Sequence, residues 1–194
     1  MASGGCQTGT LARLVLLNGA PGAGKTTLAR RIVAATPLAL LVDIDGLRTQ
    51  LGQWERREES RGIARTLALA LAEAQLSSGH DVVVPQYVGR FEFVEQLSDV
   101  AHRCGADFLE VMLVTDADVA AARFRGRRAE HEGAGTAHPE ADVADRDIDQ
   151  LVHEALERLA DICDRRPATR RVPADGDVEE TYAALLTVLS VQTP

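Results

Sequence analysis

Gly19-Ala20-Pro21-Gly22-Ala23-Gly24-Lys25-Thr26 constrains this chain more than any other stretch, because it matches the spacing G-x-x-x-x-G-K-[ST]. Each residue type there has a physical reason. Glycines let the backbone turn with its N–H groups facing inward, which makes a nest for anionic oxygens. A helix starting near Lys25 adds the positive end of its dipole. Lys25 is placed to reach the β- and γ-phosphates of a purine triphosphate, and the Thr26 hydroxyl to help hold Mg²⁺. Gly19, Ala20, Pro21, Gly22, Ala23, Gly24, Lys25, Thr26 and Thr27 are therefore the candidate nucleotide contacts, with ATP the expected nucleotide. The flanks agree: apolar Leu14 to Leu17 runs into the motif, and Leu28, Ala29, Ile32 and Val33 follow at the spacing of one helical face. Lys25 is also the only lysine, against a Lys plus Arg total of 21.

A chain of 194 residues fits one domain with a sheet covered on both faces. Hydrophobic residues at 45% and charged residues at 26% describe a globular chain. No stretch approaches the roughly 20 apolar residues that span a bilayer, so no membrane partner is expected. The net charge of −8 argues against broad nucleic-acid binding, although a local basic groove stays open. Cys6, Cys104 and Cys163 share no C-x-x-C spacing and read as free or buried thiols. A cytoplasmic protein is the expectation, with residues 1–10 a loose tail. Nothing in the sequence reads out an oligomeric state.

Strand and helix signals alternate from there on. Strands are expected at Leu14–Leu17, Leu38–Val42, Val82–Val84, Phe108–Val114 and Arg170–Val172. Between them lie helices from Lys25 to Thr36, from about Arg56 to Ser78, around Phe91 to Arg103, after Thr115, and along Ile148 to Ile162, with a final one capped by Asp177 and Glu180. Thr115 and Asp118 have capping-box spacing. Residues 126–145 read as an insertion. The alternation predicts a parallel sheet wrapped by helices on both sides.

The elements around the motif narrow the chemistry. With no second lysine, the Asn/Thr-Lys-x-Asp element that reads guanine is absent, which removes a GTPase. No apolar strand ends in Asp-Glu, since Val82–Val84 runs into Pro85-Gln86-Tyr87, which argues against motor or chaperone ATPases. A phosphotransferase needs a base beside an acceptor hydroxyl and a closed, cationic site. Asp43-Ile44-Asp45-Gly46-Leu47-Arg48 leaves the second strand at the sheet edge where ligands of such folds sit. Extended-chain alternation would point Asp43 and Asp45 to one side, one assisting Mg²⁺ and the other taking the hydroxyl proton. The competing reading makes Asp45 the N-cap of a short helix. Arg123, Arg125, Arg127 and Arg128 fit a lid over the transferring phosphoryl group, or else a solvated helix end.

GAPGAGKTTLAR followed by LLVDIDGLR resembles small P-loop kinases of the zeta-toxin and chloramphenicol-phosphotransferase kind and, more distantly, shikimate and gluconate kinases. RFRGRR resembles their arginine-bearing lid, here residues 124–147, and Arg171 to Gly176 their adenine-side loop. The resemblance implies a P-loop NTPase three-layer sandwich with a five-stranded parallel sheet ordered 2-3-1-4-5. It implies ATP- and Mg²⁺-dependent phosphorylation of a small-molecule hydroxyl, within one domain over residues 1–194 that has a helical acceptor-side region at 46–80. By position, Asp45 matches the base and Asp43 the carboxylate near Mg²⁺. Arg48, Gln86, Tyr87 and Arg90 fall on the acceptor side, Asp175 and Gly176 on the nucleotide side, and Arg123 and Arg127 on the transferring phosphate. The departure is Gln86-Tyr87, where relatives often carry an acidic or small residue.

Other groups read as background. Arg56, Arg57, Arg61 and Arg65 could form a stripe towards an anionic acceptor, but they alternate with Glu55, Glu58 and Glu59 and read better as a solvated face. Trp54 fits the acceptor pocket or ordinary packing. His131 and His138 lack a third ligand and read as exposed loop residues. Asp142, Asp145, Asp147 and Asp149 read as helix-start charges. Two rivals remain: a polynucleotide 5′-hydroxyl kinase, and an ATPase switch with no acceptor.

Overall fold

The computed structural model describes residues 11–56, 58–134 and 147–191. The 1–10 tail, Arg57, His138, Asp142 and Asp145 lie outside the described residues, as does most of the expected insertion. Strand β1 is Arg13–Gly19, and the motif turns from it into α1, Lys25–Ala35. Strand β2, Leu40–Leu41, leads into α2, Ile44–Thr49, and a 3₁₀ turn at Trp54–Arg56 leads into α3, Ser60–Ser77. Then follow β3 (Val82–Pro85), α4 (Phe91–Arg103), β4 (Asp107–Val114), α5 (Ala117–Ala134), α6 (Ile148–Arg165), β5 (Arg170–Pro173) and α7 (Val178–Ser190).

All strand pairs are parallel and the order is β2-β3-β1-β4-β5, as the resemblance implied. Burial on both faces explains why β1 reads as an unbroken apolar run rather than an alternating one. Leu14 and Leu16 face α3 and α4, while Val15 and Leu17 face α1 and α7. The α3 helix meets the sheet through Ala64, Ala68 and Ala72, each fully buried, so its backbone lies close to the strands. On the same face α6 packs Ala155 and Leu159 near Met112, and its start packs Ile148 and Val152 on Phe124 of α5.

Four local expectations need correction. Strand β2 is shorter than Leu38–Val42, because Leu38 adopts φ 58°, outside the extended region. The acceptor-side helix splits: the 3₁₀ turn and residues up to Glu59 separate Arg56 from α3. Thr115 does not cap α5; it is buried, and the Asp118 N–H is taken by Asp116 Oδ1 at 2.9 Å. The lid expected from residue 124 begins as helix, since α5 continues to Ala134 and carries Arg125, Arg127, Arg128 and a half-buried His131 with it.

Candidate active site

Parallel strands end on one edge of the sheet, so the loops after β1, β2 and β3 come together there by topology. The motif fills the first. Gly22 and Gly24 sit at φ 87° and 83°, the left-handed region. Their constraints differ. A Cβ on Gly22 would lie 2.1 Å from the Ala120 carbonyl oxygen of α5, whereas one on Gly24 would meet open space. Gly24 is needed for its backbone angle alone, as the N-cap of α1. Lys25 Nζ arches back over the loop and donates to the Gly19 and Ala20 carbonyls at 3.0 and 2.8 Å. Its ammonium is therefore held across the mouth formed by the loop amides, where a polyanion's charge is best met. Thr26 is half-buried and Thr27 exposed.

Asn18 holds this loop to its neighbour. Fully buried, its Oδ1 accepts from the Gly19 and Val88 N–H groups, each at 2.9 Å, and its Nδ2 donates to the Val88 carbonyl at 3.0 Å. The segment after β3, which carries Gln86, Tyr87 and Arg90, is thus pinned to the phosphate loop. The Gln86 N–H adds a bond to the Leu17 carbonyl at 3.1 Å. Sequence reasoning passed over Asn18 as part of a turn. The available signal was an amide ending an otherwise apolar strand, where burial demands partners.

After β2 the chain goes directly into α2. Asp43 is its N-cap, Oδ1 accepting from the Gly46 N–H at 3.1 Å, and Asp45 lies in the first turn. Alternation along an extended chain therefore does not relate the two, because Asp43 is the extended cap residue and Asp45 is already helical. The cap assigned to Asp45 belongs to Asp43. Arg48 Nε donates to Ser60 Oγ at 3.0 Å, and its guanidinium sits 4.9 Å from the Trp54 ring centre. Arg48 and Trp54 thus brace the turn between α2 and α3.

The nucleotide-side residues meet directly. Arg123 donates to the Ala174, Asp175 and Gly176 carbonyls at 2.6, 2.9 and 2.7 Å, and Asp175 Oδ1 accepts from the Asp116 N–H at 2.6 Å. The Arg123 guanidinium is thus held against the loop after β5. Arg125 pairs with Asp149 at 2.7 Å, bridging α5 and α6. Arg127 lies one turn on from Arg123, 5.3 Å from the Phe124 ring centre.

A cleft of about 470 Å³ opens between the phosphate loop and α6, lined by Pro21, Tyr87, Gln150, Leu151, Glu154 and Arg158 among others. Tyr87 looks into this cleft, its hydroxyl buried with no hydrogen-bond partner among the described residues. Gln150, Glu154 and Arg158 form a hydrogen-bonded row along α6, with Gln150 Nε2 and Arg158 donating to Glu154 at 3.0 and 3.2 Å. These residues carried no sequence signal, since every amphipathic helix has a polar face. Arg65 was also misjudged. It is half-buried against Phe93, at 5.4 Å from the ring centre, whereas Arg56 and Arg61 are exposed as expected.

A phosphate-cradling loop at the head of a parallel 2-3-1-4-5 sheet, with an aspartate-bearing turn after β2, defines a P-loop domain of kinase-like architecture. The chain belongs to the AAA domain family, whose pattern matches residues 14–150. No curated protein matches it at the level of sequence. Solved structures share the fold. A gluconokinase from Sinorhizobium meliloti is 21% identical with a TM-score of 0.61, the match covering 93% of each chain. The Mycobacterium tuberculosis APS kinase in complex with AMPPNP and APS is 20% identical with a TM-score of 0.61, covering 93% of this chain and 98% of that one. The Deinococcus radiodurans tunicamycin resistance protein is 13% identical with a TM-score of 0.56, covering 94% and 99%. No helix among the described residues is long and apolar enough to cross a membrane.

Proposed function

We propose that this chain is an ATP- and Mg²⁺-dependent phosphotransferase that moves the γ-phosphoryl group to a hydroxyl of a small molecule. The observation that carries this reading is Asp45 in the first turn of α2, just past β2, on the same sheet edge as the Gly19–Thr27 cradle and the cleft lined by Tyr87. Two of the similar structures are named as kinases, and one holds AMPPNP, which stands for ATP, together with a second small molecule.

The chemistry then assigns itself by position. Loop amides and Lys25 bind the β- and γ-phosphates, and the Ala174–Gly176 loop, shaped by Arg123 and Asp175, borders the nucleotide's base. The acceptor oxygen attacks the γ-phosphorus, the bond from that phosphorus to the β–γ bridging oxygen breaks, and ADP leaves with those electrons. Asp45 takes the hydroxyl proton. Arg127 supplies positive charge from α5 to the equatorial oxygens. Arg48, Gln86, Tyr87 and Arg90 surround the acceptor.

The donor set fits Mg²⁺. The Thr26 hydroxyl and the Asp43 carboxylate are hard oxygen ligands, and Asp43 commits Oδ1 to the Gly46 N–H. Among the described residues no cluster of three acidic, His or Cys side chains forms a cage of its own, which suits an ion that keeps waters and phosphate oxygens. When bound, the ion neutralises charge on the β- and γ-oxygens. Residues 1–194 act as one unit in this reading, with 46–80 on the acceptor side.

The test has two halves. Lys25→Ala should abolish tight ATP binding. Asp45→Asn should keep ATP binding and lose transfer by roughly 10²-fold or more, with mass gain read across a panel of hydroxyl compounds. Normal transfer by the Asp45→Asn protein would remove Asp45 as the base. Acceptor-free ATP turnover that ignores Asp45→Asn would favour an ATPase without an acceptor.

A further inference from the structure

A helix on the outside of a sheet ordinarily turns a charged face to water, and the outer flank of α3 does not. Arg65 lies over Phe93 of α4 and Glu73 pairs with Arg103 of α4, so that side of α3 meets its neighbouring helix. Ile63, Leu67 and Leu71 recur every four residues on the other side, and they are 46, 40 and 40% exposed. From Thr66 to Ala72 no residue carries a formal charge. Facing away from α4, this stripe looks out over β2, the strand at that end of the sheet. Gln75 fixes the direction, since its Nε2 donates at 2.6 Å to the Leu38 carbonyl just before β2.

The strand beneath is as bare. Val33 to Val42 holds no charged residue, and Leu38 is 72% exposed. Leu40 and Val42 donate to the Asp81 and Val83 carbonyls, each at 2.9 Å. The intervening Leu41 therefore directs its N–H and carbonyl to the open edge, where the described residues supply no further strand. Natural sheets usually guard such an edge with charge or cover it with another element. Helix flank and strand edge form one margin, about 27 Å along α3 and about 20 Å from helix to strand, roughly 540 Å² in plan. Stable interfaces begin at about 600 Å² per partner, and interdigitating side chains add to the plan area.

The symmetry of the margin names its occupant. A twofold axis normal to the sheet and beside Leu67 sets β2 antiparallel to its copy, and α3 antiparallel to its copy on the same face. The same rotation brings Leu67 to Leu67 of the second copy, and Ile63 to Leu71 of the second copy. The margin is complementary to itself. Charge agrees, because each chain carries −8 and two copies meet here without bringing like charges together. We propose that this margin is the interface of a homodimer, joined about that axis with the α3 stripes at its centre.

Sedimentation velocity on the full chain, over concentrations from about 1 to about 100 µM, tests it. The unaltered protein is expected to reach twice the 20.8 kDa chain mass. Leu67→Glu sets like charges face to face beside the axis and should weaken association by roughly 100-fold or more. Leu186→Glu, an equal change at an exposed position of α7, should leave the dimer intact. A monomeric unaltered chain gives this margin to some other partner and overturns the proposal. A dimer that ignores Leu67→Glu, or one that Leu186→Glu dissolves, overturns it as well. If Leu67→Glu misfolds, Leu67→Cys replaces it: a short bismaleimide should link the introduced thiols of the two copies. Crosslinking no greater than in the unaltered protein then removes the interface.

Discussion

Asn18 shows how much one buried amide can hold. Two of its three hydrogen bonds join the phosphate loop to Val88 in the segment after β3, and the third holds Gly19 within the loop. Asn18→Ala removes the partner of two N–H groups and a carbonyl in a place without solvent, each worth about 1–3 kcal/mol when orphaned. The expected loss, allowing for relaxation, is about 3 kcal/mol in urea denaturation, accompanied by weaker ATP binding. A change below about 0.5 kcal/mol would mean the contacts are incidental. At this scale the sequence was legible where a residue's role is set by its neighbours in the chain. The glycines and Lys25 of the loop are of that kind. It was silent where the role is set by residues distant in sequence: Arg65 reads as one more arginine in a charged stretch until α4 brings Phe93 beneath it.

The elements tell a similar story about ends and middles. The alternation of strands and helices follows from apolar runs and breakers, whereas the strand order was legible only through the resemblance. The ends of elements were less readable because several residues compete for each cap. Asp43 rather than Asp45 caps α2, and Asp116 rather than Thr115 accepts from the first turn of α5. In the first case the capping carboxylate lies two residues nearer the preceding strand than expected, and in the second one residue farther from it. The cap also gives a way to separate structure from chemistry. Asparagine caps as well as aspartate, so Asp43→Asn should change stability by no more than about 0.5 kcal/mol. If Asp43 also serves Mg²⁺, the same substitution should raise the Mg²⁺ concentration needed for half-maximal turnover by roughly tenfold. An unchanged Mg²⁺ dependence would leave Asp43 with the cap alone.

At the scale of the whole molecule, an ionic joint ties the end of α6 to α4 and β4. Arg166, just past α6, donates to Glu110 of β4 at 2.5 Å and to Glu95 of α4. It lies near the Phe91 and Phe108 rings. Removing the cation strands a buried carboxylate, so Arg166→Ala should destabilise by about 3 kcal/mol. Burial pushes the Glu110 carboxyl above its ordinary range, with the Arg166 guanidinium pulling the other way and not fully compensating. The folded state therefore holds a proton that the unfolded chain releases between the ordinary glutamate range and the raised value. The stability this adds is complete below the ordinary range and declines as pH rises through the raised one. Relative to Glu110→Gln, the unaltered protein should lose ground as pH rises above the ordinary glutamate range, about 4, and denaturation curves that run parallel for the two would contradict the assignment.

The contact at Gly22 has a wider meaning for how this chain can change. With no room for even a methyl group beneath the Ala120 carbonyl, the anion cradle and the first half of α5 behave as a single mechanical part. Grafting that helix from a distant relative would thus disturb nucleotide grip while leaving every letter of the motif untouched, and any hinge for a moving arm must lie beyond Ala120.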